Sequence, residues 1–185
     1  MPVQIGSTPH SFANPTGLLS DCHRRVEMFI GSLKSVADAS GQELTQETRQ
    51  SLDLALRYFR DAAPKHTADE EESLFPRLRK LANLEIKAAL DRMDALESDH
   101  RWAEPLHAEV ERLGGKYLDQ GRLSPDDARV FCNSVHQLYG MYQRHIEMED
   151  REVFPIADRL LPAEWKAEIA REMAARRGIK TVVSL

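Results

Sequence analysis

Cysteine is scarce in this sequence, and its scarcity excludes the commonest cysteine-based site. The 185 residues include two cysteines, Cys22 and Cys132, and these do not form a C-x2-C pair, so a zinc–thiolate site is not expected. The first fourteen residues are polar and contain no apolar segment typical of a secretory signal. We therefore expect reduced thiols and a cytoplasmic protein.

Basic excess and long apolar runs are also missing. The net charge is −5, so the composition does not indicate a nucleic-acid partner. No apolar run is long enough to cross a bilayer, so no membrane partner is expected. With 42% apolar and 30% charged residues, the chain is typical of a folded globular protein. Because only 6% of residues are aromatic, the core should consist mainly of aliphatic side chains.

Strand-like alternation is absent, whereas apolar residues recur at helical spacing along most of the chain. Four long helices with short connections imply an all-α protein, an up-down-up-down four-helix bundle with a short C-terminal fifth helix. We expect an irregular lead-in over residues 1–15, the bundle over residues 16–161, and a C-terminal helix and tail over residues 162–185.

Prolines, glycines and capping residues predict where these helices begin and break. Ser124–Asp127 supplies a capping serine, a proline at the first helical position and acidic residues in the first turn. Pro64 should kink or interrupt the second helix, and Pro76 should disturb it again before a short tail that reaches Ala82. Gly114–Gly115 can end the third helix early. The predicted helices begin near Thr16, Thr45, Leu84, Ser124 and Pro162.

The most specific signal is a motif that occurs twice. Residues 66–76 read HTADEEESLFP, and residues 145–155 read HIEMEDREVFP. Both contain H-x3-E, a second acid, two further residues, an aliphatic residue and then Phe-Pro. Residues four apart lie one above the other on a helix face, so each His–Glu pair can bind one metal ion or two neighbouring ions.

The other two long helices place polar residues in apolar stripes in the same way. His23 lies in the stripe of the first helix, and Glu97, His100 and Glu104 continue that of the third. Buried carboxylates are very costly unless they are paired or bound to a cation. We therefore predict a metal site formed by His23, His66, Glu70, His100, Glu104, His145 and Glu149.

The ligand types narrow the choice of metal. Nitrogen and oxygen ligands without thiolates suit iron, manganese or zinc. Six or seven such ligands exceed one tetrahedral zinc site but fit two six-coordinate ions that share carboxylates.

The order of these residues resembles the hemerythrin-like, or HHE cation-binding, family. The resemblance covers roughly residues 18–161 and rests on His23, His66-x3-Glu70, His100 and His145-x3-Glu149, with Phe-Pro after each H-x3-E. It implies a non-haem centre of two iron ions with an oxo or hydroxo bridge, in which Glu70 and Glu149 also bridge the irons. The expected partner is a small ligand such as O2, NO or peroxide, and the oligomeric state stays open.

Two positions depart from the oxygen-carrying members of that family. Those proteins have a histidine where this chain has Glu104, and their last carboxylate is an aspartate at the spacing that Asp150 occupies here. Between the two candidates we favour Glu149, because it repeats the H-x3-E spacing. A carboxylate at position 104 favours a higher iron oxidation state and argues against reversible oxygen carriage.

Two classes of function follow from the resemblance. The first is a di-iron protein that binds or senses O2 or NO, or takes part in iron and oxidative-stress handling. The alternative is a di-iron redox enzyme that reduces peroxide or nitric oxide, or repairs iron centres. A structural bundle without metal is the third possibility.

The remaining polar residues have simpler interpretations. We expect Glu71, Glu72, Asp150 and Glu152 to form a solvated face. His107 is expected at the surface or near an entry channel, and His10 and His136 in structural or solvent positions. Tyr58 and Tyr142 are interpreted as core tyrosines whose hydroxyls are hydrogen-bonded, Glu97 is a weaker alternative to Glu104, and Cys22 is not expected to bind metal.

Overall fold

The computed structural model describes residues 11–81 and 84–179, and every element in these ranges is helical. Predictions about residues 1–10, the end of the short helix at Ala82 and the C-terminal tail after residue 179 lie outside the described residues. The α-helices are α1 Pro15–Asp38, α2 Gln46–Asp61, α3 Ala63–Ala68, α4 Phe75–Arg79, α5 Leu84–Gln120, α6 Pro125–Met148, α7 Phe154–Leu160 and α8 Ala163–Arg176. Two π-helical turns interrupt them, the first at Asp69–Leu74 and the second at Glu149–Val153.

Side-chain caps set the starts of three long helices. The Asn14 side chain accepts a hydrogen bond from Gly17 N at 3.0 Å, and Thr45 forms a capping box with Thr48. Ser124 caps α6 with Pro125 in the first turn, as the sequence predicts. Gly121 has a φ of +71°, which glycine adopts without strain, in the turn that joins α5 to α6.

Helices α1, α2, α5 and α6 form the body of the protein. Contacts join α1 to α2, α2 to α5, α5 to α6, and α6 back to α1, so the four helices surround a common core. The core consists of two apolar clusters. One includes Ile30 of α1 and Met141 of α6, and the other includes Leu19 of α1 and Val153 of the second π-helical turn. The stretch of α1 between Leu19 and Ile30 carries His23, and the stretch between Met141 and Val153 carries His145 and Glu149. These three residues therefore lie along the chain between the two clusters.

The predicted break at Pro64 is confirmed, because α2 ends at Asp61 and α3 starts at Ala63. Pro105 and Gly114 instead lie inside α5, which continues to Gln120, so the early end at Gly114–Gly115 does not occur. At Gly114 the absence of a side chain serves packing, since an added Cβ would lie 2.8 Å from Leu56 Cδ1. From Pro125 to Leu160 the chain stays helical, and the second π-helical turn divides this stretch into α6 and α7.

The fifth helix of the prediction is α8, and charged side chains attach it to the first π-helical turn. Asp69 is fully buried and accepts hydrogen bonds from Arg176 at 2.9 Å and Arg177 at 2.6 Å. Arg77 of α4 donates to Glu172 of α8 at 2.7 Å. Within residues 11–81 and 84–179, no helix combines the length and apolar character needed to span a membrane.

Candidate metal centre

Each copy of the duplicated motif contains a π-helical turn directly before its Phe-Pro. Phe75 N donates to Glu70 O, and Phe154 N donates to Glu149 O, both five residues back. Pro76 and Pro155 follow, and a proline has no N–H for the regular four-residue bond and crowds the carbonyl four residues earlier. The wider turn accommodates this conflict, and such turns are common at functional sites.

The first group of ligand atoms joins three segments of the chain. One ligand atom from each of its four members lies within 4.8 Å of the others. His23 Nε2 is 3.1 Å from Glu149 Oε2, and His66 Nε2 is 3.1 Å from Glu70 Oε1. All four side chains are buried. The members are His23, His66, Glu70 and Glu149.

The second group contains Glu70 again, together with His100 and His145. His100 Nε2 lies 3.1 Å from His145 Nε2 and 3.7 Å from Glu70 Oε2. The two oxygens of Glu70 therefore face different histidines, Oε1 towards His66 and Oε2 towards His100. Glu149 also reaches this group, because its Oε2 is 3.3 Å from His145 Nε2. Both carboxylates thus lie between the two pairs of histidines.

Unpartnered polar atoms at this site fit the presence of cations. Both oxygens of Glu70, both oxygens of Glu149 and Nε2 of His23 are buried and have no hydrogen-bond partner among the described residues. Leaving buried polar groups unsatisfied costs free energy, and the cost is greatest for a charge. Metal ions between the carboxylates and histidines would satisfy all of these atoms together.

Without a cation, the charges of the protein itself disfavour two ionised carboxylates at this site. Burial, and then the neighbouring Glu149, raise the pKa of Glu70 to about 8. Burial would also raise the pKa of Glu149, but the contacts with His145 and His23 outweigh it and lower that pKa. Burial alone would lower the pKa of His145, but Glu149 and Asp99 raise it to about 10. Without a cation, the two carboxylates are therefore not readily ionised together.

Three of the four histidines have a carboxylate on the ring nitrogen that faces away from the group. His23 Nδ1 donates to Asp150 at 2.9 Å, and His100 Nδ1 donates to Glu71 at 2.7 Å. His145 Nδ1 lies 3.4 Å from Asp99. Such partners orient metal-binding histidines and increase their basicity.

The interpretation of Glu71 and Asp150 as part of a solvated face was therefore wrong. Each follows a buried glutamate directly in one copy of the motif and reaches across to a histidine on another helix. The sequence contained a signal for this role, since an acid follows the glutamate in both copies. Which helix each acid reaches depends on the packing.

The structure does not bring Glu104 into either group. Its side chain is exposed and borders a cavity of about 340 Å³ beside His100. A role for Glu104 as a metal ligand stays a prediction. Glu97, the weaker alternative, binds Arg79 at 2.7 Å instead.

The cavity beside His100 also contains His107 and Tyr142. His107 Nε2 and the Tyr142 hydroxyl share a hydrogen bond of 2.8 Å, which confirms the interpretation of Tyr142. Burial lowers the pKa of His107 to about 4, so this ring is neutral at physiological pH. The hydroxyl of Tyr58 makes no hydrogen bond that the described part of the chain reveals, contrary to prediction.

His136, Cys22 and Cys132 belong to neither of the two groups of ligand atoms. His136 pairs with Asp38 at the surface at 2.6 Å, and both Cys22 and Cys132 are free thiols. His10 lies outside the described residues.

Comparison with known proteins gives a consistent result. The model of the hemerythrin HHE cation-binding domain matches residues 14–157. An uncharacterised protein of Haemophilus influenzae is 28% identical over 176 residues, which cover 93% of this chain and 96% of that protein. The family match spans the helices that carry all of the histidines and carboxylates of the two groups. The chain belongs to the hemerythrin HHE cation-binding family.

Proposed function

We propose that this protein is a non-haem di-iron protein that binds or senses O2 or NO, or takes part in iron and oxidative-stress handling. The observation that carries the proposal is the position of Glu70. Its two oxygens face His66 and His100, at 3.1 Å and 3.7 Å, so one carboxylate belongs to both groups of ligand atoms. A carboxylate in this position suits two adjacent cations.

The residues divide into two sets. His23 and His66 would hold one iron ion, His100 and His145 would hold the other, and Glu70 and Glu149 would bridge them. The donor set of imidazoles and carboxylates without a thiolate exceeds one four-ligand zinc site and suits iron or manganese, and we propose iron because the chain belongs to the hemerythrin HHE cation-binding family. The bound irons would supply the capacity to take up and exchange electrons with a small ligand.

The cavity beside His100 supports a small ligand as the partner. It has a volume of about 340 Å³ and is lined by apolar groups such as Phe59 and Ala103 together with the polar pair His107 and Tyr142. O2, NO or peroxide would approach the His100 side of the centre through this space. The protein would offer hydrogen bonds there from a small number of polar groups.

Metal analysis tests the proposal directly. We expect two irons per chain after iron-replete expression, and a loss of at least one iron in Glu70→Gln. Glu97→Gln is the matched control, since Glu97 accepts a hydrogen bond from Arg79 and belongs to neither group of ligand atoms. A single zinc ion in the native chain, or equal iron content in Glu70→Gln, would overturn the proposal.

A di-iron redox enzyme is the second candidate, acting on peroxide or nitric oxide or in the repair of iron centres. The hydrogen-bonded His107 and Tyr142 favour it, because they offer exchangeable protons in the cavity next to His100. Steady-state consumption of peroxide with an electron donor, compared between the native chain and Tyr142→Phe, separates turnover from simple binding.

Two finer features belong to the same proposal. We propose an up-down-up-down course for α1, α2, α5 and α6, supported by contacts between each helix and the next around the core. We also propose a cytoplasmic location, supported by the two unpaired cysteines, because free thiols are typical of reducing compartments.

A further inference from the structure

His66 differs from the other three histidines of the centre. The outer nitrogens of His23, His100 and His145 face Asp150, Glu71 and Asp99, whereas Nδ1 of His66 has no hydrogen-bond partner in the described part of the chain. The residue is only 8% exposed. Its Nε2 faces Glu70, so Nδ1 is directed away from the two groups of ligand atoms.

A separate pocket of about 150 Å³ borders the ring of His66. Its wall is formed by α1, the junction of α2 with α3, and the residue that follows α8. Every polar group of the lining is able to donate a hydrogen bond, and no carboxylate takes part in it. The polar members are Cys22, Arg25, Tyr58, Lys65, His66 and Arg177.

The positive charges around this pocket are only partly balanced. Arg25 donates to Cys22 Sγ at 3.3 Å and has no carboxylate partner among the residues described. No ion pair involves Lys65 in those same ranges. Arg177 is paired with Asp69 at 2.6 Å, but the same carboxylate also forms an ion pair with Arg176 at 2.9 Å. The pocket therefore has an excess of positive charge beside an unpartnered ring nitrogen.

We propose that this pocket binds a small oxyanion, which takes the place that a carboxylate occupies beside each of the other three histidines. Arg25, Lys65 and the Tyr58 hydroxyl would bind its oxygens, and charge-assisted hydrogen bonds of this kind are the strong ones. The volume suits inorganic phosphate or a short carboxylate, and it is well below that of sites for larger organic ligands.

The bound oxyanion would also act on the metal centre through His66. A negative charge beside the outer nitrogen raises the basicity of an imidazole and strengthens its bond to a metal. This coupling rests on the proposed di-iron function, whereas binding of the anion to the pocket does not. The experiment therefore has one arm without iron and one arm with it.

In the first arm, the iron-depleted chain is titrated calorimetrically with inorganic phosphate, and separately with acetate and with chloride. We expect saturable binding of phosphate or acetate but not of chloride, and the stronger of the two identifies the oxyanion class. Arg25→Gln and Lys65→Gln should each weaken binding roughly tenfold, because each removes one charge-assisted contact. Arg57→Gln is the matched control, since Arg57 is 63% exposed and pairs with Asp53.

In the second arm, the preferred anion is added to the iron-loaded chain, and the absorption spectrum of the iron centre is followed. We expect a spectral shift that saturates with the anion in the native chain and in Arg57→Gln, and that requires higher concentrations in Arg25→Gln. Equal binding by native, Arg25→Gln and Lys65→Gln chains in the first arm would overturn the anion site. Normal binding without a spectral change in an iron-loaded chain would overturn only its coupling to His66.

Discussion

Asp150 Oδ1 lies 2.9 Å from His23 Nδ1, although Asp150 directly follows Glu149, whose Oε2 is 3.1 Å from the other nitrogen of the same ring. Two consecutive acids of one π-helical turn therefore contact the two different ring nitrogens of a histidine on α1. The first π-helical turn has a related arrangement, in which Glu71 holds His100 while Glu70 faces the groups of ligand atoms. The duplicated motif thus supplies both a candidate ligand and a support for a histidine of another helix.

This arrangement predicts the effect of changing Asp150. Asp150→Asn keeps the shape of the side chain but removes the charge that orients His23 and increases its basicity. We expect a decrease of about 10- to 100-fold in iron affinity, the usual effect of losing such a partner. Competition with a chelator measures it. Glu152→Gln is the control, because Glu152 is half exposed and pairs with Arg92 at the surface, and equal losses in both variants would contradict the prediction.

Removal of the metal should destabilise the fold. Glu70 and Glu149 are fully buried, and without a cation their oxygens lack hydrogen-bond partners among the described residues. Metal binding to the folded state alone stabilises it in proportion to the logarithm of the metal concentration over Kd. We expect a lower thermal midpoint for the chelated chain than for the iron-loaded one. Identical midpoints would show that metal does not organise this part of the core.

The pH dependence of the iron-depleted chain follows from Glu70. Its pKa is raised from 4.5 to about 8 by burial and by Glu149, so the folded state favours the protonated carboxyl. The stabilising contribution of this group is complete below pH 4.5 and is lost as the pH rises through 8. Glu70→Gln, which resembles the protonated acid, should therefore gain stability relative to the native chain between pH 5 and about pH 8. Denaturant titrations of both chains without iron measure this, and a constant difference across that range would contradict it.

Variants of Glu104 test whether this exposed residue is a ligand. Because its carboxylate lies outside both groups of ligand atoms, we expect Glu104→Ala to retain two irons and to bind azide as the native chain does. Glu104→His should then leave the decay of the di-ferrous form in air unchanged. Loss of iron from Glu104→Ala, or slower oxidation in Glu104→His, would instead support the prediction from sequence that Glu104 binds iron.

The attachment of α8 depends on Asp69. This carboxylate is fully buried and accepts hydrogen bonds from Arg176 and Arg177. We expect Asp69→Asn to destabilise the fold by about 2–3 kcal/mol. This cost is somewhat less than that of breaking a fully buried pair, because both arginines are partly exposed. Amide exchange should increase first in α8. Glu72→Gln removes an exposed partner of the same Arg176 and should cost under about 1 kcal/mol. Similar costs for the two variants would show that burial of Asp69 contributes little.

Local patterns in the sequence were enough to predict most of the helices. The helix start near Thr45, the cap at Ser124 and the break at Pro64 depend on contacts within a few residues, and all three are confirmed. The π-helical turns were missed, although Pro76 and Pro155 mark them, because a proline in a helical pattern also fits a kink or an end.

The sequence by itself determined which residues could meet, because the spacing in His66-x3-Glu70 and His145-x3-Glu149 places each pair on one helix face whatever the helix packs against. Only the tertiary structure decided how those faces are rotated towards one another. On α5 the inward stripe runs through the buried Leu96 and Ala103 and the partly buried His100, so Glu104, one position beyond Ala103, turns towards solvent. The sharing of Glu70 between two groups and the reach of Asp150 to His23 likewise depend on contacts between distant segments, and such contacts are set by packing of the whole core.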